Sequence, residues 1–116
     1  MKFKLIVATV NDDRTDKIID KAREMGATGA TVITSARGEG MKPSKTFFGL
    51  TVEGQVDVVL FVVEEHMARN ILETTAECGE FGKEGGAGMA FQLDIEDVVG
   101  IGSQIDKICE EIEEKL

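Results

Sequence analysis

Apolar positions along the chain fall into four short runs and three amphipathic stretches. Residues 3–10, FKLIVATV, are apolar and rich in β-branched side chains, and they stop at the turn-forming Asn11-Asp12-Asp13, which predicts a buried strand. Ile18, Ile19, Ala22 and Met25 then recur at near-helical spacing, with Asp16, Lys17, Asp20, Lys21 and Arg23 elsewhere on the wheel. Asp13 or Thr15 is the expected cap of that helix, and Gly26 its end. Residues 30–36, ATVITSA, read as a second strand, and 56–63, VDVVLFVV, as the central one. Between them lies a long loop or loose hairpin, rich in glycine and charge and carrying the single proline. A second helix runs from Glu64-Glu65 to about Cys78, with Met67, Ile71, Leu72 and Thr75 inward. Residues 89–95, MAFQLDI, form a fourth strand that Val98 to Ile101 extends or flanks. Ser103 caps a last helix, over about 103–116, with Ile105, Ile108, Ile112 and Leu116 on one stripe and four glutamates opposite.

The order β-α-β-β-α-β plus a terminal helix predicts an α+β, ferredoxin-like split unit, with a four-stranded antiparallel sheet and both helices on one face. Residues 1–116 are expected to form one domain, since neither a repeat nor a linker divides them. The sheet's other face needs a cover larger than one terminal helix. That predicts self-association into a closed ring.

A chain of 116 residues that is 42% hydrophobic and 30% charged buries roughly two-thirds of its unfolded surface and needs no staples. The net charge of −9 disfavours a broad nucleic-acid face. It is unevenly placed: residues 1–58 carry +1 and residues 59–116 carry −10. An anion site is therefore expected to draw on the first half of the chain or on backbone N–H groups. No apolar stretch is long enough to span a membrane as a helix, no secretory leader is expected, and a cytoplasmic location is the natural reading.

Several chemistries lack their residues. The single histidine, His66, and the absence of G-x-S-x-G leave no hydrolytic triad, and His66 reads as a helix-start side chain. Cys78 and Cys109 lack paired-ligand spacing and read as small buried side chains. The acidic pairs read as helix-start and solvent-facing charge. Two glycine-rich stretches remain: Arg37-Gly38-Glu39-Gly40 after a strand, and five glycines within residues 79–88 before one. Neither is a Walker or dinucleotide loop. They read either as plain turns or as backbone cradles for an anion, with Lys83 adding a point charge. Phe47 and Phe48, in a polar stretch, read either as an anchor for the loop base or as a docking tip.

In this order and spacing the chain resembles the PII signal-transduction proteins over residues 3–102. Gly26-Ala27-Thr28-Gly29-Ala30-Thr31-Val32 resembles their G-x-x-G-x-T-V turn into the second strand. Arg37-Gly38-Glu39-Gly40 resembles the K-G-F-G that opens the T-loop, here a shorter segment of about 41–55. Gly82-Lys83-Glu84-Gly85-Gly86-Ala87-Gly88-Met89-Ala90-Phe91 resembles the B-loop, T-G-K-I-G-D-G-K-I-F, with one extra residue. The resemblance implies a cytoplasmic homotrimer without catalysis or a required cofactor, regulating nitrogen or carbon assimilation. A small anionic effector, an adenine nucleotide, would bind in clefts between subunits, and the T-loop would then dock on a membrane transporter or metabolic enzyme. The implied ligand residues are Thr31, Arg37, Gly38, Gly40, Val62, Gly82, Lys83, Gly85, Gly86, Gly88 and Met89. The implied docking residues are Lys42, Lys45, Phe47 and Phe48.

The pattern also departs from that family. Its second B-loop lysine falls on Met89, its two phosphate-binding arginines fall on Gly100 and Gly102, the T-loop glutamine is missing, and the chain has no tyrosine to be uridylylated. Each charge-assisted contact contributes about 1.5–3 kcal/mol, so losing three argues against tight Mg-ATP and 2-oxoglutarate sensing. AMP, ADP, a cyclic nucleotide, or bicarbonate beside one fits better, with Arg37, Lys42 and Lys45 as replacement charge. The competing readings are a ligand-independent trimeric adaptor and a CutA-like metal-binding trimer, the latter disfavoured by the scarcity of His and Cys.

Overall fold

The computed structural model of the chain describes residues 1–36, 46–47, 50–51, 56–82, 88–102 and 109–110. β1 (Phe3–Asn11) leads through a single 3-10 turn (Asp12–Arg14) into α1 (Thr15–Glu24). β2 (Thr31–Ala36) follows, then the two-residue strands β3 (Thr46–Phe47) and β4 (Leu50–Thr51), β5 (Val56–Glu64), α2 (Glu65–Cys78) and β6 (Gly88–Ile95). The main sheet has the order β2-β5-β1-β6, and every neighbouring pair is antiparallel. This is the ferredoxin-like split unit that the element order predicts.

The strand period of two divides the sheet residues between two faces. Ile6, Ala8 and Val10 of β1 and Val59, Phe61 and Val63 of β5 are buried together with Ile18 and Ala22 of α1 and Met67, Ala68 and Ile71 of α2. Both helices therefore pack on one face. The alternate residues form three rows across the other: Ile33–Val58–Thr9–Met89, Thr31–Leu60–Val7–Phe91, and Val62–Leu5–Leu93. Four of these side chains are apolar and exposed: Ile33 by 52%, Met89 by 58%, Phe91 by 39% and Leu93 by 49%. Phe3, on the same face, is buried. It lines a small hollow with Val98 and Ile101, which continue the chain past β6 as irregular structure rather than as a strand.

Two further details differ from the sequence expectations, the cap of α1 and the burial of the cysteines. Neither Asp13 nor Thr15 caps α1, whose cap position is Arg14 without a side-chain bond. The Thr15 hydroxyl donates instead to the buried Asp57 carboxylate at 2.6 Å. Cys78 and Cys109 are half-buried rather than buried. Within the long stretch before β5, Thr46–Phe47 pairs with Leu50–Thr51, so its hairpin reading holds at those residues. The helix expected over 103–116 lies outside the described residues except at Cys109 and Glu110, which are helical.

Candidate functional site

β1 ends, and β5 and β6 begin, at one end of the sheet. Val10 faces Asp57 on one side and Gly88 on the other, and Val56 faces both Asn11 and Ala36. The stretch after Ala36, the stretch before Val56 and the stretch before Gly88 therefore all meet the sheet at this end. The first and the last do so on opposite edges, because β2 and β6 are the outermost strands. Three strand spacings separate those edges, ~14 Å.

β2 reaches this end through an irregularity. Its register with β5 shifts between Ile33 and Ala36, and Ser35 sits there at φ 61°, a left-handed conformation that glycine usually takes. The bulge re-aims the chain just before Arg37. On the opposite edge, Gly88 has φ 143°, and a Cβ there would overlap the Thr9 carbonyl oxygen and stand 2.6 Å from Phe81 Cε1. A glycine is thus required where β6 starts. Gly82 has φ 80° with open space around it, so backbone conformation rather than crowding calls for glycine there.

The implied ligand residues fall into two groups. Thr31 and Val62 are near-neighbours on the open face, since Thr31 pairs with Leu60, two residues from Val62. Thr31 is exposed and Val62 half-buried. Gly82, Gly88 and Met89 sit at the β6 edge, with the Met89 side chain on the open face. One protomer does not bring the two groups together. Arg37, Gly38, Gly40, Lys42, Lys45, Phe48, Lys83, Gly85 and Gly86 lie outside the described residues, and Phe47 is described only as part of β3.

Three residues beside this site had no warning in the sequence reading. Arg14, from the 3-10 turn, donates to Glu80 across 2.7 Å. The Phe81 ring lies against both Gly79 and Gly88. A glycine after a helix is read as its left-handed terminator, so Gly79 hid the part played by Glu80.

At the opposite end of the sheet, Glu64 is buried and caps α2. Its carboxylate accepts from the His66 backbone N–H at 2.8 Å, and its other oxygen meets His66 Nδ1. This hydrogen bond, with the Glu64 charge, raises the His66 pKa above its ordinary value. Among the described residues, Glu64, Glu65 and His66 group their possible metal-ligating atoms within 4.8 Å. Both Glu64 oxygens are already engaged at the helix start, and the group lies far from the glycine-rich ends. Among the described residues, no helix is long and apolar enough to cross a membrane.

Comparison with known proteins agrees with this architecture. The profile of the nitrogen regulatory protein P-II family matches residues 3–114. A PII-like signalling protein from Thermus thermophilus superimposes with a TM-score of 0.59 at 24% identity, covering 82% of this chain and 88% of that one. CPII from Thiomonas intermedia, whose structure is bound to ADP, AMP and acetate, does so with a TM-score of 0.61 at 19% identity, covering 81% and 86%. No curated protein matches the chain.

Proposed function

We propose, from the premise that this chain belongs to the nitrogen regulatory protein P-II family, that it is a non-catalytic signalling homotrimer that binds an adenine nucleotide of low charge between subunits. The observation that carries this reading is the position of the two glycine-rich segments. Both meet the same end of the sheet, on opposite edges, with the exposed apolar side chains of Ile33, Met89, Phe91 and Leu93 on the face between them. The edges stand ~14 Å apart, which favours a cleft shared between protomers over one closed within a single protomer. Packing the open faces of neighbouring copies together sets the β2 edge of one beside the β6 edge of the next. Thr31 and Val62 from one subunit, and the Gly82–Gly88 segment from its neighbour, then share a cleft.

The chemistry favours a nucleotide with few charges. The positions where the family carries phosphate-binding cations are Met89, Gly100 and Gly102, so backbone N–H groups and Lys83 supply most of the recognition. CPII, a fold relative, is bound to ADP and AMP, in line with this class. The nucleotide sets the shape of the segment at 41–55, through which Lys42, Lys45, Phe47 and Phe48 dock on a transporter or a metabolic enzyme.

Calorimetric titration of the purified trimer with AMP, ADP, ATP, cyclic AMP and bicarbonate tests the reading. AMP or ADP should bind more tightly than ATP, and a ligand of the folded state also raises the melting temperature by mass action. Lys83→Ala should weaken the nucleotide. A protein that is monomeric, or that takes none of these ligands at millimolar concentration, refutes the reading.

A further inference from the structure

Helix α2 ends in a closed C-terminal motif. The Phe81 N–H donates to the Ala76 carbonyl at 3.0 Å and the Glu80 N–H to the Glu77 carbonyl at 3.2 Å. This is the Schellman pairing, with Gly79 at the cap and the left-handed position one residue later. That position belongs to Glu80, at φ 55°. Glycine is the residue the geometry favours, and a glycine is adjacent, yet a side chain with a Cβ occupies the strained position. A local rule broken in this way calls for a reason beyond the helix itself.

The Glu80 side chain supplies one. Its carboxylate meets the Arg14 guanidinium at 2.7 Å, joining the end of α2 to the turn between β1 and α1. Both side chains are partly exposed, 32% for Arg14 and 42% for Glu80, so the pair contributes little to global stability. Its effect is on direction, because it fixes where the chain leaves α2. The next residue, Phe81, lays one ring edge, Cδ1 and Cε1, against both Gly79 and Gly88. The ring thus touches chain on both sides of the glycine-rich segment.

We infer that Arg14, Glu80 and Phe81 form a clasp that fixes both ends of the glycine-rich segment ahead of ligand binding. Arg14 and Glu80 act as positioning residues: neither touches the effector, and each acts through the chain at Phe81–Gly82. With the ends held, less conformational entropy is lost when the backbone N–H groups settle on an anion. The proposal rests on the proposed function for the ligand and for its place at the glycine-rich segment. The clasp itself is a property of the free protein.

Hydrogen exchange over residues 79–90 of the ligand-free protein tests the clasp directly. Arg14→Ala and Glu80→Gly should each speed exchange there about fivefold, the scale of a partly exposed ion pair. Arg14→Ala should add nothing in the Glu80→Gly background, and Arg14→Lys should restore part of the protection. AMP or ADP affinity should fall by the same factor in both single variants. Glu80→Gly should melt no lower than the native protein, because relief of the left-handed strain offsets the lost pair. Unchanged exchange in Arg14→Ala, or fully additive effects in the double variant, would overturn the clasp. Exchange that responds as expected in a protein that binds no adenine nucleotide would uphold the clasp and sink the nucleotide reading instead.

Discussion

Gly88→Ala is the most informative single change at the start of β6. The added Cβ would overlap the Thr9 carbonyl oxygen and stand 2.6 Å from Phe81 Cε1. The ring atom is the far end of a rotatable side chain, but the carbonyl belongs to β1, which is paired on both sides and cannot give way. Forcing a methyl group into such a contact costs about 1–3 kcal/mol. The φ of 143° adds roughly 1–2 kcal/mol for a residue bearing a Cβ. The sum, about 2–5 kcal/mol, is a large share of the 5–15 kcal/mol typical of a domain. At roughly 4–8 °C per kcal/mol, the melting temperature should fall by about 10 °C or more. Two glycines serve as controls. Gly82, at φ 80° in open space, should lose only about 1 kcal/mol on substitution by alanine. Gly29, with open space and no left-handed φ, should be neutral or gain up to about 1 kcal/mol. Melting would be followed by circular dichroism at one protomer concentration, since assembly shifts apparent stability. The reasoning fails if Gly88→Ala loses no more than Gly82→Ala.

Other changes probe the remaining elements. Phe91→Glu puts a charge in the middle row of the open face and should convert the proposed trimer to a folded monomer, read by light scattering with the circular dichroism spectrum retained. Thr15→Val removes the hydroxyl donor to the buried Asp57 carboxylate and should cost about 1–3 kcal/mol in urea unfolding, with Thr15→Ser closer to native. His66 has its pKa raised by the Glu64 hydrogen bond, so its contribution is complete below the ordinary histidine value and is lost as pH rises through the raised one. Native protein should therefore melt above His66→Gln in mild acid, and the gap should shrink at alkaline pH. Asp94 runs the other way. The Lys4 hydrogen bond and charge lower its pKa, so its contribution is present above the ordinary carboxylate value and lost as pH falls through the lowered one, a loss that Asp94→Asn should abolish.

The elements were legible because their patterns are local. FKLIVATV and VDVVLFVV announce strands by composition, and the spacing of Ile18 and Ala22, or of Met67 and Ile71, announces which helical face turns inward. The features that escaped are those that a distant partner decides. Thr15 looks like a helix cap, but Asp57, 42 residues away, takes its hydroxyl. Val98 to Ile101 is apolar enough for a strand, yet Val98 and Ile101 line the hollow beside Phe3, and Val99 is 94% exposed. Glu80 reads as surface charge, and only Arg14, 66 residues earlier, shows otherwise. At the site, the glycines marked the two segments, but not their attachment to opposite outer strands of one sheet.

That placement bears on how so acidic a chain would hold the proposed anion. Residues 59–116 carry a net charge of −10 and include the whole glycine-rich segment before β6, so side-chain charge there opposes a phosphate rather than attracting it. Arg14, a described cation beside the start of that segment, is already paired with Glu80. Backbone N–H groups are attractive donors in this setting because they carry no net charge and need no counterion in the free protein. Their weakness is directional, since several must point inward together. Left-handed Gly82 and Gly88 at the two ends, pinned by Phe81, answer that need. The proposed site would tolerate one or two phosphate groups and penalise a third, whose repulsion by the acidic half is the least offset by neutral N–H donors. Selection of AMP and ADP over ATP would then follow from the charge already built into the chain.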